Sequence, residues 1–265
     1  MTGVPILPWQ RHLRRIGPPV SILLLLLILW EGGVRLTGVE KWLLPAPTDI
    51  LRTLAADMPL LLRHTGPTLQ EAALGFAAGI AAGWLLAMVM ELSPWLKRGL
   101  YPLLVGTQTV PVIAVAPLLI LWFGYDLLPK VLVVALVTFF PVVVSTADGL
   151  RSADPDMVRL LRSMGASSWQ IFRMVRFPHA LPAFFSGVKI AATYSVLGAV
   201  IAEWLGANVG LGVFLVRAQH SFAADRVFVA ILAITFWTWL LFFLIRLLER
   251  LAVPWKQSRN DQSAK

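Results

Sequence analysis

The stretch LLRSMGASSWQIFRMVRFPHALP, residues 160–182, lies between two apolar runs, residues 127–147 and 183–205. A helix needs about 20 apolar residues to cross the hydrocarbon core of a bilayer, and both runs reach that length. The stretch between them carries three arginines, three serines and a glycine. The pattern therefore indicates a polar loop that joins two membrane-spanning helices.

The composition of the whole chain supports this interpretation. Of its 265 residues, 58% are hydrophobic and 14% are charged, and the mean hydropathy is +0.75. This leaves too little polar surface for a soluble globule, so we expect an integral membrane protein. The absence of cysteine excludes disulfide bonds and thiolate metal sites. The net charge of +9 could suggest nucleic-acid binding, but in a membrane protein basic residues more often mark cytoplasmic loops.

Six stretches are long and apolar enough to span the membrane as helices, and none shows the alternation of barrel strands. They are residues 18–36, 69–90, 102–123, 127–147, 183–205 and 227–245. The first run follows the basic residues RHLRR, as in a signal peptide, but no small-x-small cleavage site comes after it, so we expect a retained helix. Gly75, Gly79 and Gly83 recur every four residues and predict a face for close helix packing.

The distribution of basic residues predicts the orientation. With a cytoplasmic N-terminus, Lys and Arg are about twice as frequent inside as outside, as the positive-inside rule requires. The chain then reads as one transmembrane domain, residues 1–265, with a core over residues 63–250. Its cytoplasmic parts are residues 1–17, 148–182 and 246–265, and residues 39–67 are external, with a proline-marked turn and an amphipathic surface helix.

The internal loop contains two helix starts. Asp154, Pro155 and Asp156 combine a capping carboxylate, a proline at the first helical position and an acid near the positive end of the helix dipole. This helix runs to about residue 164, where Gly165 can adopt the positive φ that ends it. A capping box over residues 167–170 opens a second short helix, which we expect to end before Pro178 and Pro182.

The second helix carries an apolar surface flanked by arginines. Its members are Trp169, Ile171, Phe172, Met174 and Val175, with Arg173 and Arg176 beside them. Aromatic residues, Met and Arg are enriched in protein interfaces, so this surface is typical of a docking site for another protein. An amphipathic helix lying on anionic lipid would have the same composition, and the residues alone leave both interpretations open.

The stretch 160–182 resembles the loop signature of inner-membrane permease subunits of ATP-binding-cassette (ABC) importers. The matching positions are Gly165, Phe177, Leu181 and Pro182, whereas residues 159–161, Arg-Leu-Leu, replace the usual Glu-Ala-Ala. LPAPTDIL (44–51), VPVIAVAPLLILWFGYDLLPKVLVV (110–134) and FFPVVVSTADGL (139–150) are similar to the branch for nitrate, sulfonates, taurine and thiamine-pyrimidine precursors. Within it, residues 187–212 most resemble the thiamine-precursor members.

The resemblance implies a type I ABC importer permease fold, all-α with about six membrane helices and a cytoplasmic coupling helix. It also implies a bacterial inner-membrane complex of two permease copies, two ATPase subunits and a periplasmic or lipid-anchored solute-binding protein, which would meet residues 39–67 and 207–226. ATP and Mg would bind the ATPase, because this chain has no G-x-x-x-x-G-K-[ST] phosphate loop, and we expect it to hold no cofactor. The coupling residues implied are Gly165, Ala166, Ser167, Trp169, Gln170, Ile171, Phe172, Arg173 and Pro182.

Polar residues within the apolar runs are candidates for the translocation path, because such side chains usually face protein or water. They are Gln108, Thr109, Lys189, Thr193, Tyr194, Ser195 and Glu203. As an alternative to lining the path, these side chains could form helix-helix hydrogen bonds or be hydrated at the span ends. Hydration is also the expectation for Glu31 and Glu71.

The predicted cargo is a thiamine pyrimidine precursor, of hydroxymethylpyrimidine or formylaminopyrimidine type. Nitrate, an aliphatic sulfonate or taurine is the alternative.

Enzymatic functions have little support in the sequence. The four histidines are dispersed, with no H-E-x-x-H spacing for a metal, and no G-x-S-x-G nucleophile turn occurs. A channel or a transporter driven by an ion gradient is the competing class. Such carriers commonly show two related halves or acids deep in the bilayer. The sequence shows no convincing repeat, and its acidic residues lie at the edges of the predicted spans.

Overall fold

The computed structural model describes residues 8–255, and that part of the chain contains eleven α-helices, one π-helical turn and no β-strand. The α-helices are α1 Pro8–Thr37, α2 Pro47–Ala56, α3 Met58–Leu92, α4 Pro94–Thr107, α5 Val112–Phe123, α6 Leu127–Arg151, α7 Pro155–Ser163, α8 Ser168–Ile171, α9 Phe177–Trp204, α10 Leu211–His220 and α11 Ala224–Ala252. The π-helical turn, Phe172–Arg176, joins α8 to α9. The predicted all-α class is confirmed. The predicted cytoplasmic ends, residues 1–17 and 246–265, lie partly outside the described residues.

Five helical segments are long and apolar enough to cross a membrane. They are Gly17–Thr37, Met58–Leu92, Leu127–Arg151, Ser168–Trp204 and Ala224–Ala252, and they correspond to five of the six predicted runs. The sixth, residues 102–123, is not the single helix that the hydropathy predicts. It is divided between α4 and α5, whose axes are bent by 96°.

The break between α4 and α5 has a local cause. Pro111 has no N–H group and precedes α5 in an extended conformation, with φ −64° and ψ 117°. Residues 108–110 form a turn in which the Gln108 N–H donates to the Val105 carbonyl (3.2 Å) and the Thr109 N–H to the Gly106 carbonyl (3.2 Å). This pair of helices is therefore sharply bent at the turn rather than straight.

The described residues form two compact units, residues 8–59 with 215–230 and residues 60–214 with 231–255. In the first unit, the Glu31 carboxylate on α1 accepts hydrogen bonds from Arg35 (2.6 Å) and from the Thr48 N–H (3.0 Å) in the first turn of α2. A negative charge is favourable at a helix N-terminus. The predicted surface helix in the segment 39–67 is α2.

In the second unit, α6 is packed closely against both α3 and α9 because glycines remove side chains from the contact. A Cβ on Gly75 of α3 would lie 2.4 Å from the Val134 Cβ of α6, and one on Gly79 would lie 2.0 Å from the Thr138 hydroxyl. On α9, a Cβ on Gly187 would lie 2.5 Å from the Pro141 carbonyl oxygen. The small-residue face predicted on α3 is confirmed, and added carbon at such contacts costs about 1–3 kcal/mol.

The second helix of the internal loop does not end before Pro178 and Pro182 as predicted. It continues through the π-helical turn into α9, so that Ser168–Trp204 is one segment of 37 residues. The Phe177 N–H donates to the Phe172 carbonyl, five residues back, and Pro178 follows in the first turn of α9. Proline is tolerated there because it lacks only one N–H group, and the wider turn absorbs the change in hydrogen-bond register.

Candidate coupling loop and buried polar cluster

The predicted coupling loop, residues 148–182, is built by two capped helix starts. The Asp154 carboxylate accepts a hydrogen bond from the Asp156 N–H (2.8 Å) at the start of α7. Gly165 has a φ of +82°, and the Ala166 N–H donates to the Leu161 carbonyl (3.0 Å) as the chain leaves α7. Because L-residues with side chains are strained at such a φ, glycine fixes the direction of the exit. Both predicted signals are confirmed.

The start of α8 is the predicted capping box. The Ser167 hydroxyl accepts a hydrogen bond from the Gln170 N–H (3.3 Å), and the Gln170 side chain accepts one from the Ser167 N–H (2.7 Å). The reciprocal pair satisfies two backbone donors that a helix N-terminus leaves open. A helix of four residues therefore has a defined beginning.

The exposed surface of α8 and the π-helical turn is smaller than predicted. Trp169 and Met174 are 67% and 64% exposed, and the Trp169 ring stacks on the half-buried Phe172 at 5.5 Å. Ile171 and Val175 are buried, at 4% and 7% exposure. The expectation that they share the exposed surface is wrong, since four-residue spacing places both on the face that packs against the protein.

The exposed surface lies beside a cavity of about 460 Å³ between α3 and α8. Residues that line it include Leu92 on α3 and Trp169 and Phe172 on the other side. The Arg176 guanidinium, after Phe172, donates to the Glu91 carboxylate at the end of α3. Arg176 therefore ties the loop to a membrane helix, whereas Arg173 remains exposed.

The candidate path residues do not form one surface. Thr193 and Tyr194 lie with Ile190 and Leu197 on an exposed face of α9, and Gln108 and Thr109 are exposed at the break after α4. Lys189 donates to the Glu249 carboxylate on α11 (2.7 Å), and the Ser195 hydroxyl is buried and donates to the Ala192 carbonyl (2.9 Å).

Glu203, a candidate path residue, and Glu71, for which hydration at a span end was the expectation, are instead 1% and 2% exposed. They belong to a cluster of buried polar groups at the end of α9, which we call the Glu203 cluster and define as His64, Thr68, Glu71, Lys130, Glu203 and the backbone of residues 210–212. Because Glu203 lies 32 residues beyond Ile171, the last residue of α8, the cluster lies roughly 48 Å of helix away from α8.

The Glu203 carboxylate joins α9 to α3 and to the start of α10. It accepts hydrogen bonds from the Thr68 hydroxyl (2.5 Å) and from the Gly212 N–H (2.5 Å). The Thr68 oxygen in turn accepts the Leu211 N–H (2.8 Å), and His64 Nδ1 lies 3.0 Å from the Gly210 nitrogen. Three consecutive backbone N–H groups are therefore satisfied by buried side chains.

Two further features hold the cluster together. Lys130 of α6 donates to the Glu71 carboxylate (2.8 Å), which supplies a cation for the buried acids. Gly210 has a φ of +149°, and a Cβ there would lie 2.2 Å from the Glu203 carboxyl carbon. Only glycine allows the loop to approach the carboxylate this closely.

The sequence pattern of the family described as binding-protein-dependent transport system inner membrane component matches residues 79–257. The chain belongs to this family. The permease is also 40% identical over 242 residues to the formylaminopyrimidine transport permease protein ThiX of Halalkalibacterium halodurans, covering 91% of this chain and 96% of that protein. It is 38% identical over 258 residues to the riboflavin transport system permease protein RibX of Chloroflexus aurantiacus, covering 95% and 96%.

A third relative, the taurine transport system permease protein TauC of Escherichia coli, is 30% identical over 257 residues and covers 94% of each chain. These findings confirm the resemblance drawn from the sequence. The permease is a multi-pass inner-membrane protein and the transport subunit of an ABC importer rather than an enzyme. The family works with an ATPase and a solute-binding protein.

Sequence reasoning missed most of the Glu203 cluster in the permease. His64, Thr68 and Lys130 were not singled out, and Glu203 was assigned to the path. One local signal was available, because Glu203 precedes the glycines at 210 and 212 and the start of α10, where a carboxylate is a favoured helix cap. The partners on α3 gave no such signal.

Proposed function

We propose that the permease imports a pyrimidine precursor of thiamine, of formylaminopyrimidine or hydroxymethylpyrimidine type. The observation that carries this proposal is the 40% identity to a formylaminopyrimidine permease over 91% of the chain. In the complex we propose, two copies of the chain form the membrane path. A solute-binding protein delivers the cargo from outside, and two ATPase subunits bind ATP and Mg on the cytoplasmic side, where both termini lie.

The exposed face of α9 supports a neutral cargo. Ile190, Thr193, Tyr194 and Leu197 recur at helical spacing on this face, and none of them is charged. Nitrate and sulfonates are anions that proteins usually bind through cations or several N–H donors. An uncharged nitrogen heterocycle requires only hydroxyl groups and apolar surface, which this face offers. We assign Lys189, Ser195 and Glu203 to structural roles, because each is bonded within the chain.

Riboflavin is the second candidate, because the riboflavin permease is 38% identical over 95% of the chain. It is also an uncharged nitrogen heterocycle, so the same α9 face would suit it. Nitrate, sulfonates and taurine rank lower, since the taurine permease is 30% identical and an aliphatic sulfonates permease of Escherichia coli is 33% identical.

Transport by the reconstituted complex tests the cargo. The permease, its ATPase and its binding protein are placed in liposomes, and uptake of labelled formylaminopyrimidine, riboflavin and taurine is measured with ATP on the ATPase side. We expect ATP-dependent uptake of formylaminopyrimidine. Uptake of taurine alone would refute the proposal, and uptake driven by a proton or sodium gradient without ATP would place the chain in the competing transporter class.

We also propose that the coupling loop docks on the ATPase through Trp169, Phe172 and Arg173. Gly165, Ala166, Ser167 and Gln170 give the loop its shape through the caps described above, while buried Ile171 anchors α8. Pro182 lies within α9 and belongs to the continuous helix that carries motion from α8 into the membrane. The stacked rings of exposed Trp169 and half-buried Phe172 support this assignment, since such anchors dominate interface energies.

Replacing Trp169 by Ala tests the docking. Truncating a buried aromatic anchor costs about 2 kcal/mol, so we expect about 30-fold weaker binding of the ATPase. Trp239→Ala on α11 is the matched control, because Trp239 is similarly exposed at 76% but lies within a membrane-spanning helix. ATPase affinity is measured with purified subunits, and equal affinity for both variants would contradict the assignment. The chain has no cysteine, so a single cysteine introduced at position 172 can carry a nitroxide label. The label reports whether this position next to α8 contacts lipid or protein in the working complex.

A further inference from the structure

Two adjoining cavities lie between the ends of α3, α4 and α6 and the start of the coupling loop. The first has a volume of about 360 Å³ and is lined by Lys97, Arg98, Tyr101, Pro102 and Arg151. The second, of about 410 Å³, shares Lys97 and Arg151 with the first and extends to Arg159 and Arg162 on α7. The two cavities thus adjoin at these shared residues, and together we call them the α4–α6 basic site.

The α4–α6 basic site has more positive charge than its neighbouring carboxylates neutralise. Its six cations are Lys97, Arg98, Arg151, Arg159, Arg162 and Arg176. Three carboxylates face them: Glu91 accepts from Lys97 (2.9 Å) and Arg176, Asp156 accepts from Arg159 (2.8 Å), and Asp148 accepts from the Tyr101 hydroxyl (3.1 Å). Within residues 8–255, the structure gives no ion pair to Arg98, Arg151 or Arg162.

Apolar surface continues from the basic site along α4. The helix belongs to the bent pair that is apolar enough to enter a membrane, and Leu103, one residue beyond the lining residue Pro102, is 65% exposed. Trp95, at the start of α4, is 79% exposed, as expected of a tryptophan at a membrane surface. A ligand that combines an anionic head with hydrocarbon chains matches this arrangement, whereas a soluble anion would use only the cations.

We propose that the α4–α6 basic site binds the phosphate head of an anionic phospholipid, with its acyl chains along α4. Basic pockets between membrane helices on the cytoplasmic side are suited to such heads. The lipid would bridge Arg98 and Arg151 at the membrane helices to Arg159 and Arg162 on α7, and so help to hold the coupling loop. The proposal depends on the chain's membrane placement and not on which solute it carries.

An acidic surface of the ATPase is the competing occupant. The first cavity argues against it, because none of its lining residues comes from α7, α8 or the π-helical turn, and the exposed Trp169 lines a different cavity. Only the second cavity borders α7. A membrane lipid can reach both cavities, since each is also bounded by the membrane helices α4 and α6.

Lipid binding to the full-length permease, purified with its ATPase subunits, tests the proposal. Binding of a fluorescent phosphatidylglycerol is measured by titration, with phosphatidylcholine as the uncharged comparison. For the double variant Arg98→Gln and Arg151→Gln we expect about 30-fold weaker phosphatidylglycerol binding, since each basic residue near a membrane contributes about fivefold. Arg246→Gln with Arg250→Gln is the matched control, because it removes two exposed arginines from α11 and should bind as the unaltered chain does.

Each other outcome would overturn the proposal. Equal loss in the control pair would mean that general surface charge, and not this site, attracts the lipid. Displacement of the probe by millimolar inorganic phosphate would identify a site for soluble phosphate. Unchanged lipid binding with weakened ATPase binding in the double variant would assign the arginines to the ATPase. Unfolding temperatures of both variants are measured in parallel. If the Arg98→Gln and Arg151→Gln pair unfolds early, Arg98→Lys with Arg151→Lys keeps both charges and should bind lipid as the unaltered chain does; weak binding by this Lys pair would also overturn the proposal.

Discussion

Replacing Glu203 by Gln should weaken the Glu203 cluster while keeping its shape. The carboxylate accepts two hydrogen bonds, from Thr68 and from the Gly212 N–H, and is 1% exposed. In the Gln variant, the amide oxygen can still accept the hydrogen bond from the Gly212 N–H, and the amide NH₂ group then faces Thr68. The Thr68 oxygen can accept from this NH₂ group, since its hydroxyl can donate instead to the His64 carbonyl, 3.2 Å away. Each bond loses its charge assistance, worth about 1 kcal/mol, so we expect a loss of about 2 kcal/mol.

Glu203→Ala should be more damaging, because it removes both bonds and leaves the Gly212 N–H unsatisfied. An unpaired buried donor costs about 1–3 kcal/mol, and the lost carboxylate also leaves a cavity, so we expect a total of about 4 kcal/mol. Glu40→Ala is the control. Glu40 is exposed, and the change should stay within about 0.5 kcal/mol.

Two measurements follow the series. The first is the unfolding temperature of the purified permease, expected to fall in the order unaltered chain, Gln variant, Ala variant, by roughly 2–4 °C per kcal/mol. The second is the labelling rate of a cysteine placed at Ala207, next to the clustered backbone, with a membrane-impermeant maleimide. It is interpretable because the chain has no other cysteine. If Glu203→Ala unfolds at the same temperature as Glu40→Ala and leaves the labelling rate unchanged, the cluster does not hold this loop.

Three further changes test other contacts. Gly79→Val should destabilise the permease by about 3 kcal/mol in chemical unfolding, because its side chain would collide with Thr138; an unaffected variant would contradict the close α3–α6 packing. Gly165→Val should strain the left-handed exit from α7 by about 1–2 kcal/mol and lower transport-coupled ATP hydrolysis, with membrane insertion as the check on folding. Lys189→Met should lower the free energy of unfolding by about 2 kcal/mol, because it breaks the 2.7 Å ion pair with Glu249. Adding Glu249→Gln should recover most of this loss, whereas additive losses would show that the two residues are not coupled.

Local signals in the sequence predicted the helix starts and the turn of residues 148–182 well. The Asp154 cap, the positive φ of Gly165 and the capping box at Ser167 all depend on residues within four positions of one another. Five of the six membrane spans could also be predicted from local signals, because a run of apolar residues indicates a membrane helix whatever helices surround it. The exception is residues 102–123, whose high average hydropathy concealed the polar turn around Gln108 and Thr109 before Pro111.

Non-local contacts explain what the sequence could not predict. Thr68 and Glu203 are separated by 135 positions, and nothing near either residue indicates that they meet. The burial of Ile171 likewise depends on which face of α8 packs against the protein. In the same way, Lys189 looked like a path residue because its partner Glu249 lies 60 positions away.

The π-helical turn at Phe172–Arg176 determines which way α8 faces. Successive residues of an α-helix are rotated by about 100°, so removing one residue from this turn would swing Trp169 by that angle around the axis of α9. Ile171 would then move outward, and the stacked rings would leave the cavity beside Leu92. The length of this five-residue turn therefore sets the direction in which α8 presents its exposed surface to a partner, whatever side chains that surface carries.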